Sequence, residues 1–305
     1  MSKIFVYTFY RFLKINDKKK LKKIIDAFLS SRFIRGTILL ADEGLNASIS
    51  SDKKSLDELI LFIKKVINIR KLEIKINDSE NIPFNRMKVR LKKEIVTLGK
   101  GDFNFEKLHG EKIHPKNWDN VIKNKNIILI DVRNKFEIKI GKFKKAINPN
   151  TESFRDFPNF VDKLKVKKNT KIAMYCTGGI RCEKANAFLK TKGYKNILQL
   201  KGGIIEYLKY NSDDKKSSLW NGECFVFDDR VTINKKLTKG KYIQCFGCRR
   251  PITRKDTLSV KYIKGVSCAY CYNKRSMAQK NSSRVRQNQI EDAKKNNKYN
   301  IFLKN

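Results

Sequence analysis

The 305-residue chain lacks an apolar run long enough to span a bilayer, which argues against an integral membrane protein. Its first residues, MSKIFVYTFYRFLKIND, are partly apolar but are interrupted by Arg11 and Lys14. They also lack the small-residue cleavage site of a signal peptide, so they predict a first strand instead. We therefore expect a cytoplasmic protein without a membrane partner.

Histidine and the common cofactor-binding motifs are also scarce. The only two histidines, His109 and His114, do not supply the two-histidine-one-carboxylate set that binds non-haem iron. There is no G-x-G-x-x-G loop, and no flavin or haem motif is seen. The sequence therefore gives no indication of how a redox cofactor would be bound.

Acidic residues are few, and basic residues are abundant. The chain has 69 Lys and Arg against 30 Asp and Glu, a net charge of +39 and a pI near 10.0. An AT-rich genome would supply lysine but would not favour arginine, and so much charge is typical of proteins with a polyanionic partner. From Lys235 onward there are nineteen basic and three acidic residues. We expect nucleic-acid contact there, because no amphipathic anchor for the rival partner, an anionic membrane surface, stands out.

Residues 1–105 alternate strand-like and helix-like segments, which predicts a ferredoxin-like α+β domain. Basic and apolar residues alternate in the segment RMKVRLKK, so that a strand there would present a basic row on one face. A solvated sheet face is an equally good interpretation of this row. The candidate RNA contacts in it are Arg86, Lys88, Arg90 and Lys92.

The remaining chain divides into three segments. Residues 114–210 contain short apolar strands separated by helices, which predicts a parallel α/β domain with both sheet faces covered. Residues 211–275 have few helical periods and hold two cysteine pairs. Residues 276–305 are polar and basic, and we expect them to be weakly ordered, with room for one helix.

The sequence KIAMYCTGGIRCEK predicts a reactive cysteine. It places Cys176 at the carboxyl end of an apolar strand and before a helix, where open α/β sheets build their active sites. Two glycines let backbone N–H groups turn inward, while the helix N-terminus and Arg181 lower the thiol pKa and stabilise a thiolate or persulfide. The alternative is a buried structural thiol, which the strand-Cys-Gly-Gly-Arg-helix order disfavours. The predicted active-site loop comprises Thr177, Gly178, Gly179, Ile180 and Arg181.

The size and the neighbours of this loop refine the prediction. Four residues separate Cys176 from Arg181, whereas cysteine phosphatases have five, so the ring suits sulfur or redox chemistry better than phosphoryl transfer. Cys182, in the first helical turn, is either a resolving thiol or a packing residue. Asp131 and Arg133 end the neighbouring strand and either support the loop or pair structurally with each other.

Two C-x-x-C pairs, Cys245 with Cys248 and Cys268 with Cys271, are separated by nineteen residues. This spacing is typical of a structural four-thiolate zinc ribbon, which would stabilise a segment with little apolar core. A vestigial site, a redox dithiol pair and an iron–sulfur cluster remain as alternatives. Cys224 has no partner in the sequence and is expected to pack within a strand.

Several motifs carry a resemblance to known proteins. IDVRNKFE and CTGGIRCEKA with LQLKGGIIEYL resemble the two signatures of rhodanese domains, although Lys142 and Lys145 replace the usual histidine and glycine outside the cysteine loop. Together with ILLADEGLNASIS, MKVRLKKEIVTLG and GECFVFDDRV, they resemble the rhodanese-domain family of oxygen-dependent tRNA uridine hydroxylases. The resemblance runs from the N-terminus to about Asn273.

The resemblance implies hydroxylation of the wobble uridine to 5-hydroxyuridine, with molecular oxygen as co-substrate and the tRNA anticodon arm as partner. It implies that Cys176 is catalytic and passes through a persulfide, and it indicates no protein partner. Two hypotheses follow: Cys176 attacks C6 of the ring, or its persulfide is the reductant. Four aromatic residues either stack on the base or pack in a core: Phe225, Phe227, Tyr242 and Phe246.

Three other functions compete with hydroxylation. A sulfurtransferase would carry persulfide sulfur on Cys176 to a thiol, to cyanide or to tRNA without needing oxygen. An RNA-binding protein with a retired rhodanese fold would not be expected to keep the Cys176–Arg181 loop intact. A phosphatase is disfavoured by the loop size.

Overall fold

A computed structural model describes residues 3–212 and 218–296 of the chain. These residues form parts of two compact units, residues 1–224 with 235–237 and residues 225–234 with 238–305. The predicted ferredoxin-like and rhodanese domains belong to the first unit. None of the helices in the described ranges is long and apolar enough to cross a membrane.

The N-terminal domain has the ferredoxin-like βαββαβ order with one additional strand. Its strands lie in the order β4-β1-β3-β2-β5, and β5 joins the edge parallel to β2. This arrangement confirms the predicted fold. The elements are β1 Ile4–Phe12, α1 Lys18–Leu29, β2 Arg35–Ala41, β3 Gly44–Asp52, α2 Lys53–Val66, β4 Ile74–Ser79 and β5 Met87–Leu91.

Each of the two helices starts at an aspartate cap. The side chain of Asp17 accepts a hydrogen bond from the backbone N–H of Lys20, and Asp52 does the same for Ser55. Apolar residues recur at helical spacing behind both caps and are buried in the domain core. These residues are Leu21, Ile25 and Leu29 in α1, and Leu56, Leu59, Ile60 and Ile63 in α2.

The segment GTILLADEGLNASISS forms a hairpin of two strands. Asp42 and Glu43 form the turn between β2 and β3. Gly44 begins β3 with a φ of +142°, and a Cβ there would lie 2.0 Å from the carbonyl oxygen of Arg11. The glycine therefore allows close approach to β1 inside the sheet instead of marking the turn.

The central domain is built on a four-stranded parallel sheet of order β6-β10-β9-β7. Helix α3 packs with α7, and α5 packs with α6. The predicted parallel α/β architecture is confirmed. The elements are β6 Glu111–Ile113, α3 Pro115–Lys123, β7 Ile127–Asp131, α4 Lys135–Ile140, β8 Gly141–Phe143, α5 Phe157–Asp162, β9 Lys171–Tyr175, α6 Ile180–Thr191, β10 Ile197–Leu200, α7 Gly203–Tyr210 and β11 Trp220–Gly222.

A short helix and an added strand complete this domain. Helix α4 has only six residues, too few to show a helical period in the sequence. Strand β11 pairs antiparallel with β8 and buries Trp220 against Phe143, with ring centroids 5.2 Å apart. The first unit therefore includes β11 and extends to residue 224.

The second unit contains short strands and one long helix. Phe225 is buried, whereas Phe227 and Phe246 are exposed, so the expected aromatic set divides between core and surface. Its elements are β12 Cys224–Phe225, β13 Thr232–Ile233, β14 Ile243–Gln244, β15 Pro251–Ile252, a 3₁₀ turn at Lys255–Leu258 and α8 Met277–Lys295.

The described part of the tail is helix α8, where the sequence predicted weakly ordered chain with room for one helix. The helix begins with a capping box: Ser276 Oγ accepts from the N–H of Gln279 at 3.2 Å, and Gln279 Oε1 accepts from the N–H of Ser276 at 3.1 Å. The sequence from Met277 to Lys295 also contains no Gly or Pro. The final residues of the predicted tail, 297–305, lie outside the described part.

Candidate active site

The Cys176 loop lies at the carboxyl end of β9, as the sequence predicted. Gly179, with a φ of +98°, directs the chain into α6. A second glycine, Gly203, supports the loop from the start of α7. A Cβ on Gly203 would lie 2.5 Å from the carbonyl oxygen of Cys176, and that oxygen accepts the N–H of Ile204 at 3.0 Å. The backbone of α7 thus fixes the position of the cysteine.

The environment of Cys176 favours the thiolate. The N–H of Gly179 donates to Cys176 Sγ at 3.0 Å. Burial raises the pKa of the Cys176 thiol, but the hydrogen bond from the Cys182 thiol, the charge of Arg181 and backbone N–H donors outweigh it and lower that pKa to about 5. Burial and the adjacent Cys176 raise the pKa of Cys182 well above its ordinary value. Cys176 is therefore the more acidic of the two thiols, and Cys182 is its hydrogen-bond donor.

Arg181 forms a buried bidentate ion pair with Glu137, a residue that sequence reasoning did not single out. The guanidinium donates to the two carboxylate oxygens of Glu137 at 2.6 and 2.7 Å, and Glu137 is fully buried. The hydroxyl of Thr177 lies 3.4 Å from both partners. Arg181 is thus held rigidly beside the loop, where its charge acts on the thiolate.

Asp131 and Arg133 pair with each other. Arg133 donates to both carboxylate oxygens of Asp131 at 2.9 and 2.6 Å, and both side chains are fully buried. Arg133 also donates to the carbonyl oxygen of Gly141 at 2.6 Å. This is the structural pairing that the sequence left as one of two alternatives. It ties the end of β7 to the start of β8.

The N-terminal domain covers the cysteine loop with two side chains. Lys75 Nζ donates a hydrogen bond to the carbonyl oxygen of Gly178. The hydroxyl of Tyr10 lies 3.4 Å from Glu183 Oε1 and would be 3.0 Å from a Cβ on Gly179. Only 1% of Cys176 is exposed. The loop therefore lies between the two domains of the first unit, with Lys75 and Tyr10 over it.

A buried lysine on α6 joins the same two domains. Lys184 is fully buried, and its Nζ lies 2.8 Å from Glu43 Oε2, 2.8 Å from the carbonyl oxygen of Val96, and in an ion pair with Glu94. Glu43 lies in the motif ILLADEGLNASIS and Glu94 in MKVRLKKEIVTLG, while Lys184 lies in CTGGIRCEKA. Three of the motifs that carry the resemblance thus meet in one charge network behind the cysteine loop.

We predict that Lys184→Met lowers the free energy of unfolding by about 2–4 kcal/mol, because it leaves two carboxylates unpaired in a largely buried position. The measurement is the urea midpoint followed by tryptophan fluorescence, since both tryptophans, Trp118 and Trp220, are buried in the rhodanese domain. Lys190→Met, near the end of the same helix, is the control. Equal midpoints for the two variants would contradict the assigned network.

The low pKa of Cys176 predicts an unusual pH profile for its alkylation. The rate of carbamidomethylation at Cys176 should be half-maximal near pH 5 and constant above about pH 6, since the reactive thiolate is already formed there. Cys224, whose pKa burial raises to about 12, should stay unlabelled across that range. Mass spectrometry of the peptide containing Cys176 measures the rate. A midpoint at pH 8–9 would show that the loop does not activate the thiol.

The candidate RNA-contacting row lies on β5, the edge strand, and continues into the loop that follows. Arg90 and Lys92 are exposed, and Lys88 is half-buried. Lys92 also lines an open cleft of about 710 Å³ between the ferredoxin-like and rhodanese domains. The other basic residues of this cleft are Lys18, Lys93 and Arg155. The structure thus adds three basic residues to the surface that the sequence indicated.

The four paired cysteines come together in the second unit. The sulfur atoms of Cys245, Cys248, Cys268 and Cys271 all lie within 4.8 Å of one another. This is the arrangement that the two C-x-x-C pairs predicted. Cys224 is buried in β12 and is not a member of this cluster.

Comparison with known proteins agrees with this description. Residues 4–95 match the family model described as UPF0176 acylphosphatase like domain, and residues 115–210 match the rhodanese-like domain. A rhodanese-related protein of known structure from Thermoplasma volcanium is 26% identical over 33% of this chain and 92% of its own, with a TM-score of 0.28. A rhodanese-like domain protein from Staphylococcus aureus is 21% identical over 32% and 90%, with a TM-score of 0.28.

One relative is similar over almost the whole chain. The tRNA uridine(34) hydroxylase of Pelagibacter ubique (strain HTCC1062) is 46% identical over an aligned length of 305 residues. The alignment covers 98% of this chain and 98% of the relative. The chain therefore belongs to the tRNA uridine(34) hydroxylase family.

Proposed function

We propose that this chain hydroxylates uridine 34 of tRNA to 5-hydroxyuridine in the cytoplasm, with Cys176 as the nucleophile and molecular oxygen as co-substrate. The observation that carries the proposal is the thiolate of Cys176, with a pKa near 5, in a chain similar end to end to a tRNA uridine(34) hydroxylase. A thiolate is the form that adds to an electron-poor carbon. Addition at C6 of the uracil ring makes C5 electron-rich, so that C5 can accept an electrophilic oxygen atom.

The reaction must be balanced by a two-electron donor. One atom of molecular oxygen enters the base and the other leaves as water, which consumes two electrons and two protons. Oxidation of the Cys176 thiolate and the Cys182 thiol to a disulfide releases two electrons and one proton, and the second proton comes from solvent. The hydrogen bond between these two thiols supports Cys182 as the resolving thiol. An external thiol would then return the pair to the reduced form.

The tRNA reaches the loop along basic surface. The cleft with Lys18, Lys92, Lys93 and Arg155 lies in the same unit as the loop and suits the phosphates of the anticodon arm. A wobble base is unpaired, so turning it towards a protein costs little. Because Cys176 is almost fully buried, the base must displace the side chains of Lys75 and Tyr10 to reach the sulfur. These two residues would then line the base pocket.

A sulfurtransferase is the second candidate, and the size of the loop favours it. Four residues between Cys176 and Arg181 form a ring that suits a single sulfur atom, and the Gly179 N–H already donates to Sγ. Such an enzyme would accept sulfur from thiosulfate on Cys176 and pass it to tRNA or a thiol. It would require neither oxygen nor a resolving thiol.

Growth under ¹⁸O₂ separates the two candidates. In cells that depend on this gene for the modification, nucleosides derived from 5-hydroxyuridine should gain one ¹⁸O atom, because the oxygen of the hydroxyl comes from the gas. Growth in H₂¹⁸O under ordinary air is the matched control and should leave that position unlabelled. Label from water, or no effect of removing oxygen, would overturn the oxygen-dependent mechanism.

A further inference from the structure

The second unit contains a cluster of four cysteine sulfurs that the proposed function does not use. The sulfur–sulfur distance is 3.9 Å from Cys245 to Cys271, 3.8 Å from Cys248 to Cys268, and 3.9 Å from Cys268 to Cys271. A disulfide would require about 2.05 Å. Four thiolates bound to one zinc ion at about 2.3 Å occupy the corners of a tetrahedron whose edges are about 3.8 Å. The measured separations match those edges.

The backbone around the sulfurs has the same form in both pairs. The backbone N–H groups of Gly247 and Cys248, which follow Cys245 by two and three residues, donate to the Cys245 sulfur. The N–H groups of Tyr270 and Cys271 donate to Cys268 at the same two offsets. Two equivalent turns with N–H groups aimed at sulfur stabilise thiolates more than they stabilise neutral thiols. Both pairs therefore form the same kind of turn around a cysteine sulfur.

Close packing fixes the first turn. A Cβ on Gly247 would lie 2.2 Å from the carbonyl oxygen of Val266, just ahead of the second pair. The carbonyl oxygen of Gly247 accepts a hydrogen bond from the Arg275 guanidinium. The same guanidinium donates to the hydroxyl of Ser283 in α8 at 2.7 Å. The two cysteine turns and the helix thus form one connected structure.

The apolar core at this cluster is small. Among the described residues, this cluster adds to the four cysteines the buried Ile252 and the partly buried Tyr262. Burial of so little apolar area offsets only a small part of the conformational-entropy cost of ordering these turns. A metal ion bound by the thiolates would supply the missing stability.

We propose that Cys245, Cys248, Cys268 and Cys271 bind one zinc ion, which holds the second unit together and takes no part in catalysis. Four protein ligands leave no open position for a substrate. Thiolate ligands suit zinc, and a single ion fits the observed separations. An iron–sulfur cluster would place several iron and sulfide ions between the same four sulfurs, which are no more than 4.8 Å apart.

The test is the metal content of the purified full-length chain, measured by plasma mass spectrometry. We expect about one zinc per chain in the wild type and in Cys224→Ser, the matched control at a buried cysteine outside the cluster. Cys245→Ser and Cys268→Ser, one from each turn, should retain less than about one fifth of that. Cobalt substitution of the wild type should give the charge-transfer and d–d bands of a tetrahedral four-thiolate site.

A chelator provides a readout that is independent of variant folding. Removing the metal from the wild-type chain should accelerate proteolysis between residues 238 and 296 while cleavage within the rhodanese domain stays slow. Metal-free wild-type protein after purification with added zinc would overturn the proposal. So would bound iron with acid-labile sulfide, or full zinc content in both cluster variants.

Discussion

Cys176→Ser should abolish 5-hydroxyuridine formation at position 34, lowering the rate by about 10³-fold or more, the scale of loss when a covalent catalyst loses its nucleophile. Serine fills nearly the same volume, but its hydroxyl stays protonated where the thiol, with a pKa near 5, is ionised. The fold and tRNA affinity should remain, because basic surface outside the loop supplies the phosphate contacts. The measurement is nucleoside mass spectrometry of tRNA after single-turnover and multiple-turnover incubations.

Two other cysteine variants make this result specific. Cys224→Ser changes a buried thiol in β12 and should leave the rate within about twofold of wild type. Without added thiol, the wild type should complete one turnover, because the Cys176–Cys182 pair supplies two electrons, whereas Cys182→Ser should complete none. A Cys176→Ser protein that retains activity would show that the nucleophile is misassigned. One full turnover by Cys182→Ser without added thiol would remove its role as resolving thiol.

Glu137→Gln should produce the largest loss of stability, about 3–5 kcal/mol, because it leaves the Arg181 guanidinium buried without its anionic partner. Wild-type Arg181 makes two bonds of 2.6 and 2.7 Å to Glu137, and Glu137 is fully buried. The measurement is the urea midpoint reported by the two tryptophans of the rhodanese domain. Asp162→Asn is the matched control, because its ion pair with Lys192 is exposed on both sides and should contribute no more than about 1 kcal/mol.

The same ion pair predicts how the stability depends on pH. Burial alone would raise the pKa of Glu137, but the charge and hydrogen bonds of Arg181 outweigh burial and hold that pKa below its ordinary value of 4.5. A carboxyl with a lowered folded-state pKa contributes stability above pH 4.5 and loses it as the pH falls through the folded value. The difference between wild type and Glu137→Gln should therefore shrink below pH 4.5. A constant difference down to pH 3 would contradict the assignment.

The sequence was sufficient to predict the parts of the molecule that repeat a local pattern. Apolar strands followed by helices predicted the parallel sheet, and the glycine pair after Cys176 predicted a tight loop before α6. The spacing of the C-x-x-C pairs predicted that four sulfurs would meet. In each instance the chemistry lies within a few consecutive residues, so that spacing along the chain determines spacing in the fold.

Residues whose partners are distant in the chain were missed. Glu137 is forty-four positions from Arg181, and Lys75 is one hundred and three from Gly178. Nothing local marks Lys75, since a Lys in an edge strand usually faces solvent. Glu137 is the last residue of IDVRNKFE, a motif that carried the rhodanese resemblance. One usable signal was present: Glu43, Glu94 and Lys184 each lie in a motif that carried the family resemblance.

The most direct test of the account is nucleoside mass spectrometry of tRNA from cells lacking this gene and any other source of the modification, rescued by wild type or by Cys176→Ala. We predict that nucleosides derived from 5-hydroxyuridine disappear in the deletion and return only with the wild-type gene. If these nucleosides are unchanged while a thiolated nucleoside falls, the chain carries sulfur instead, and the hydroxylation assigned to Cys176 is wrong.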